Sequence, residues 1–198
     1  QISIRSNEVI YDSIFLSQHG VHQGRNAAIA LAGAEAFLGI EIPKETVEVS
    51  LRDISLPGRF EIISNSPLVI LDGAHNPPGA LAAAETLQSS FNVSGNRTLI
   101  IGMTEEKDAD WMLSNLNASE FTSIIATQAS SPRSMTAELL SEIAREFCNH
   151  VITKPDPKDA LIEALSASSE EDIIFGTGSM YVVGAIREAS HKLKFEQN

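Results

Sequence analysis

The stretch Leu68-Val69-Ile70-Leu71-Asp72-Gly73-Ala74-His75-Asn76-Pro77-Pro78 decides the fold. Four consecutive apolar residues bounded by turn formers read as a strand buried on both faces, the signature of a parallel sheet. Gly73-Ala74 lets the chain turn tightly. Asn76-Pro77-Pro78 opens a helix, because a proline in the first turn gives up an N–H that has no partner there anyway. Strand, turn and helix in that order form half of a βαβ unit.

Working outward, the pattern recurs downstream. Residues 98–101, 123–126, 150–153 and 172–175 are short apolar runs, mostly rich in β-branched residues, each closed by turn residues. Helical periodicity fills the gaps at 80–91, 108–116, 136–147, 159–165 and 180–193. In 108–116 it puts Trp111, Met112 and Leu116 on one side, with Trp111 expected in or near the core. In 136–147 it gathers Leu139, Leu140, Ile143, Ala144 and Phe147 on one face, with Thr136 as N-cap. Alternating strands and helices predict an α/β, doubly wound, mostly parallel sheet of five or six strands. Ligands of such a sheet sit at the carboxyl ends of the strands, where helix N-termini supply donors.

Residues 1–55 read differently. Two strands, 2–4 and 9–14, would pair as a hairpin through Ser6-Asn7. An Ala-rich helix over 22–39 stops at Gly39, and a second short helix spans 43–51. This segment is expected to bury no core of its own and to be the tail of a preceding domain, leaving 56–198 as the complete α/β domain. With no initiator Met and an opening in mid-pattern, the chain reads as a fragment. The polar tail 192–198 is expected to fray.

Composition narrows the function. Of 198 residues 43% are apolar and 20% charged, ordinary globular values that exclude collagen, coiled coil and wholesale disorder. Fourteen Lys and Arg against 26 Asp and Glu give a net charge of −12, which argues against nucleic-acid and membrane-surface roles. A small anion remains possible, since a few local donors override the mean field. No apolar run nears the ~20 residues of a membrane helix, and no signal peptide is visible. The single cysteine, Cys148, reads as a buried or idle thiol in a reduced, cytoplasmic setting. His19, His150 and His191 have no ligand spacing, so zinc is not expected.

The chemistry concentrates in two places. Leu56-Pro57-Gly58-Arg59-Phe60-Glu61 precedes the Asp72-Gly73-Ala74-His75-Asn76 turn, and Arg59 after Pro-Gly offers a planar fork for phosphate. Singly, Asp72 or Asn76 reads as a helix cap, His75 as a loop histidine and Arg59 as a solvated charge. Together at one strand end they favour a site. Phe175-Gly176-Thr177-Gly178-Ser179-Met180-Tyr181 follows the last strand and opens the last helix. The simpler reading there is a tight turn with Ser179 as N-cap.

These residues resemble the folylpolyglutamate synthase and dihydrofolate synthase family, within the wider Mur ligase superfamily. The matching segments are Pro57-Gly58-Arg59-Phe60-Glu61, Leu71-Asp72-Gly73-Ala74-His75-Asn76-Pro77 and the upstream His22-Gln23-Gly24-Arg25-Asn26-Ala27-Ala28-Ile29-Ala30-Leu31. Gly102-Met103 with Lys107-Asp108, and Ser131-Pro132-Arg133, add to them. Peptidoglycan-building relatives usually carry Asp-Tyr-Ala-His-Asn-Pro, so Gly73 tilts toward the folate branch.

The resemblance implies a C-terminal region of an ATP-dependent amide ligase: the end of the central ATP-binding domain followed by the Mur-type C-terminal domain. By that resemblance Asn26 bonds the adenine of ATP, with Gln23 a second candidate. Arg59 contacts the ATP phosphates, Asp72 holds the ribose or nucleotide side with His75 beside it, and Ser179 helps hold glutamate. Implied partners are ATP with Mg2+, L-glutamate and a folate or dihydropteroate carboxylate, with a monomeric full-length enzyme. The family's Gly-Lys-Ser/Thr phosphate loop occurs nowhere in this sequence, and its Mg2+ ligands are expected in an upstream part, so the 198 residues alone are expected to be inactive. A peptidoglycan-type Mur ligase and a non-catalytic nucleotide-binding α/β module remain the alternatives.

Overall fold

The computed structural model describes residues 1–6, 9–91 and 94–196, the last three by their backbone alone. The chain forms two compact units, Gln1–Pro57 and Gly58–Asn198.

In the first unit β1 (Ile2–Ser6) and β2 (Val9–Ile14) pair antiparallel. The hairpin is as predicted, but its turn at Asn7 lies outside the described residues. Two helices follow, α1 (Val21–Leu38) and α2 (Lys44–Asp53). Gly39 ends α1 in the left-handed conformation (φ 69°), and its N–H donates to the Glu35 carbonyl at 2.8 Å.

Contrary to expectation, this segment buries a small core of its own. Ile4, Tyr11, Ile14, Ala27, Leu31 and Val47 are all enclosed. A buried carboxylate organises it: Ser6 and Tyr11 donate hydroxyl hydrogen bonds to Glu35, and the Ile42 N–H donates at 3.2 Å. Those donors, Ser6 first, hold the Glu35 carboxyl below its usual range. The same bond to Glu35 pushes the Tyr11 hydroxyl up to about 12.

The second unit is a six-stranded sheet in the order β3-β4-β8-β5-β6-β7. Its strands are β3 (Glu61–Asn65), β4 (Leu68–Leu71), β5 (Arg97–Ile101), β6 (Ser123–Ala126), β7 (Val151–Thr153) and β8 (Ile173–Thr177). All pairings are parallel except that of the edge strand β3 with β4. Strand β3 is not apparent from the sequence pattern, while the other strands fall within a residue or two of expectation.

Period-two alternation divides the core. Ile70, Leu99, Ile101, Ile124 and Phe175 face one side, under α3 (Pro77–Ser90), α4 (Ala109–Asn115) and α5 (Ala137–Ala144). Val69, Leu71, Ile100, Ile125 and Ile174 face the other, under α6 (Pro157–Ser166) and α7 (Met180–Glu196). Helices on both faces of a mostly parallel sheet make the domain doubly wound, as predicted.

Side-chain caps fix several helix starts. Asn76 Oδ1 accepts the Gly79 N–H at 2.8 Å, so α3 begins at Pro77, three residues earlier than the apolar periodicity alone suggests. Asp108 caps α4, Thr136 caps α5 and Asp156 caps α6. Ahead of β8, buried Asp172 accepts the Ser169 N–H at 2.7 Å and the Asn96 N–H at 2.6 Å. These bonds, that from Ser169 foremost, hold its carboxyl below the usual range.

Some side chains differ from expectation. Trp111 is 59% exposed, because α4 turns Ala109, Met112 and Leu113 inward and leaves residue 111 on the outer face. Leu139 likewise lies outward, with Leu140 and Ala144 carrying the α5 contact. At the C-terminal end α7 runs to Glu196 and carries a Lys192–Glu188 ion pair at 2.7 Å. Cys148 is buried, as expected. Among the described residues no helix is long and apolar enough to cross a membrane.

Candidate functional site

The strand order defines where a ligand site belongs. The chain runs from β4 through α3 to β5, and β8 later inserts between them from the opposite face. Their carboxyl ends therefore meet at the point where the winding reverses, the place where open α/β sheets hold ligands.

The loop leaving β4 is internally tied. Asp72 is 6% exposed; its Oδ1 accepts the Ala74 N–H at 2.9 Å and its Oδ2 accepts the Phe60 N–H at 3.1 Å. The Gly73 N–H donates to the Gly58 carbonyl at 2.8 Å. Asp72 thus stitches its own turn to the one that carries Arg59, whose side chain is exposed. The carboxylate faces backbone donors on two loops, so a ribose would have to share oxygens already engaged.

His75 is exposed, with its Nδ1 at 2.9 Å from the Gly73 carbonyl. A carbonyl only accepts, so Nδ1 carries a proton and donates, which leaves Nε2 as the ring nitrogen that faces a ligand.

Three more loops complete this edge. Those after β5 and β6 are bound together: the Glu105 N–H donates to the Arg133 carbonyl and the Met135 N–H to the Met103 carbonyl, each at 2.9 Å, and Thr104 bridges Ser134. After β8, Ser179 Oγ accepts the Tyr181 N–H at 3.2 Å in the capping arrangement. An open pocket of about 250 Å³ lies among these loops, lined by His75, Thr104, Glu106, Lys107, Arg133, Gly178, Ser179, Met180 and Tyr181. Two cations against one carboxylate make it locally positive on a strongly acidic chain, suited to a small anionic ligand.

Arg59, Asp72, His75 and Ser179 thus share the carboxyl edge of one sheet. Gln23 and Asn26 belong to the other unit, on α1, where the Asn26 amide N–H donates to Gln23 Oε1 at 3.0 Å. Gln23 is buried and Asn26 exposed, so Asn26 alone of the two presents its amide outward. Lys107 and Arg133 stand in segments that match the family but carry no role expected from the sequence. The available signal was a cation in each of the loops leaving two successive strands.

Comparison with known proteins bears directly on this edge. The profile of the Mur ligase, glutamate ligase domain matches residues 58–180, from the Arg59 turn to the start of α7. The chain belongs to the Mur ligase, glutamate ligase domain family. Within it, the Mycobacterium tuberculosis dihydrofolate synthase/folylpolyglutamate synthase is 34% identical over 199 residues, covering 90% of this chain and 40% of that protein. The Bacillus subtilis dihydrofolate synthase/folylpolyglutamate synthase is 31% identical, covering 95% of this chain and 44% of that one. This chain therefore spans less than half the length of either relative.

Solved structures agree on the fold of this Mur ligase family member. The Mycobacterium tuberculosis folylpolyglutamate synthase complexed with ADP superposes with a TM-score of 0.84 at 33% identity, covering 91% of this chain and 42% of that one. Escherichia coli FolC in complex with DHPP and ADP gives 0.83 at 25% identity, covering 98% and 44%. Mostly parallel sheet, flanking helices and family profile coincide.

Proposed function

We propose that this region is the C-terminal part of an ATP-dependent folylpolyglutamate/dihydrofolate synthase, which joins L-glutamate to a folate or dihydropteroate carboxylate. The observation that carries this reading is the cationic pocket at the β4–β8–β5 edge, built next to the turn that bears Arg59. The names of the relatives and their ADP-bound structures support it. Residues 1–55 are read as the end of the central ATP-binding domain and 56–198 as the C-terminal ligase domain.

ATP would supply activation by passing its terminal phosphoryl group to the acceptor carboxylate with release of ADP, and the attacking amine would displace that phosphate to form the amide. The residues of this chain bind and orient. Arg59 has the geometry to meet phosphate oxygens: an exposed guanidinium on a turn fixed by its neighbours. Lys107 and Arg133 would hold the carboxylates of the incoming glutamate, with Ser179 lining the same pocket, leaving its amine free to react. His75 Nε2 is available for a hydrogen bond nearby. Asn26 offers a donor and an acceptor suited to adenine, Gln23 supports it from within, and Asp72 serves the nucleotide side mainly by holding the Arg59 turn. Among the described residues no group of three His, Cys, Asp or Glu converges as a metal site, and the Mg2+ ligands are assigned to the remainder of the enzyme. We read the full-length protein as a cytoplasmic monomer acting on small molecules.

Gly73 and the names of the relatives favour the folate reading over a peptidoglycan-type ligase. Phosphate release by the full-length gene product, with ATP and L-glutamate, tests the choice. Release that depends on dihydropteroate or a folate supports the proposal. Release only with a nucleotide-linked muropeptide, or none with any acceptor, overturns it.

A further inference from the structure

The turn that opens the second unit is held from several directions. The Gly58 N–H donates to Glu61 Oε2 at 2.9 Å, and the Gly58 carbonyl accepts the Gly73 N–H at 2.8 Å. Gly58 has φ 69°, and a Cβ there would come within 2.9 Å of Val183 and 3.3 Å of Met180, both on α7. On the far side of Arg59, Phe60 holds a left-handed φ of 48°, rare for a bulky residue. Its ring is buried, with centroids 6.1 Å from Phe91 and 5.6 Å from Phe175, and its N–H donates to Asp72. Arg59 therefore projects from a backbone fixed on both sides.

The remaining Glu61 oxygen, Oε1, accepts from Arg187 Nε at 2.8 Å. This pair spans from the edge strand β3 to α7 with side chains 21% and 39% exposed. A half-exposed ion pair adds only modestly to stability, and β3 is also held to β4 through its backbone. Its geometric effect is more specific. Arg187 orients the Glu61 carboxylate, whose other oxygen sets the Gly58 amide one residue from Arg59. The helix that carries Arg187 also begins at the pocket, with Met180 lining it.

We propose that Glu61 and Arg187 are positioning residues for Arg59, fixing the turn so that the guanidinium meets a phosphate at the right place. The proposal rests on the phosphate role of Arg59 given above. A small displacement of a charge-stabilising group lowers turnover more than it lowers substrate affinity.

The test is steady-state kinetics on the full-length enzyme, with thermal melting as a check on folding, for Arg187→Gln, Arg187→Lys, Arg59→Ala and the Arg59→Ala/Arg187→Gln double variant. Arg187→Gln is expected to lower kcat roughly tenfold while the glutamate KM stays within about twofold. Arg187→Lys should recover much of the loss, and the double variant should be no slower than Arg59→Ala, since Arg187 acts through Arg59. A wild-type kcat in Arg187→Gln, or a deficit that multiplies onto that of Arg59→Ala, overturns the positioning role alone. A wild-type kcat in Arg59→Ala overturns the phosphate role and the positioning with it. If Arg187→Gln folds poorly, Glu61→Gln enters the same cycle and is judged by the same outcomes.

Discussion

Replacing Asp72 by Asn separates a structural brace from a ligand. The change preserves shape, but an amide presents an acceptor on one side only. Either the Phe60 N–H or the Ala74 N–H then faces an NH2 group in a site that is 6% exposed. Losing one charge-assisted bond and stranding a buried donor costs about 1.5–3 kcal/mol. At about 2–4 °C per kcal/mol for a unit of this size, the melting temperature of the second unit should fall by about 3–12 °C. Because the lost bond joins the Asp72 and Arg59 turns, kcat of the full-length enzyme should also fall, and ATP affinity less so. Differential scanning calorimetry of the 198-residue chain reads the first effect and steady-state kinetics of the full-length enzyme the second. An unchanged melting temperature with a large loss of ATP affinity would refute the brace and return Asp72 to direct ribose contact.

The remaining predictions concern the pocket, the first unit and the chain as a whole. Lys107→Ala and Arg133→Ala should each raise the glutamate KM of the full-length enzyme by about tenfold or more, the equivalent of one charge-assisted bond; an unaltered KM in both would remove glutamate from this pocket. Tyr11 ionises near 10 when unfolded but about 12 in the fold, so its proton is held more tightly in the native state. Its contribution is complete below pH about 10 and is lost as pH rises toward about 12, a loss that unfolding of the first unit should show and Tyr11→Phe should abolish. With no Gly-Lys-Ser/Thr loop in its sequence, the 198-residue chain should add no glutamate to any folate; ATP-dependent product from the purified chain would contradict this.

What could be read from the sequence follows from what each element buries. Strands β4, β5, β6 and β8 lie between two helical layers, so both of their faces are apolar and they appear as uninterrupted runs. Strand β3 lies at the edge, where Ile62 is 39% exposed and Glu61 serves a turn, and its mixed sequence hides it. Trp111 misled because α4 is only seven residues long, too short for periodicity to fix which face turns inward. The buried Glu35 network left no trace in an Ala-rich helix, since satisfaction of a buried carboxylate depends on partners distant in sequence. That Asp72, His75 and Arg59 lie at one sheet edge was legible because they flank a strand end. Lys107 and Arg133 sit in loops without a period, and only folding shows that they face one pocket.

The most direct test is a structure of the full-length protein with a non-hydrolysable ATP analogue and L-glutamate. The guanidinium of Arg59 should lie within hydrogen-bonding distance of a phosphate oxygen, with glutamate carboxylates on Lys107 and Arg133. A nucleotide held far from the β4–β8–β5 edge, with Arg59 turned to solvent, would contradict the account at its centre.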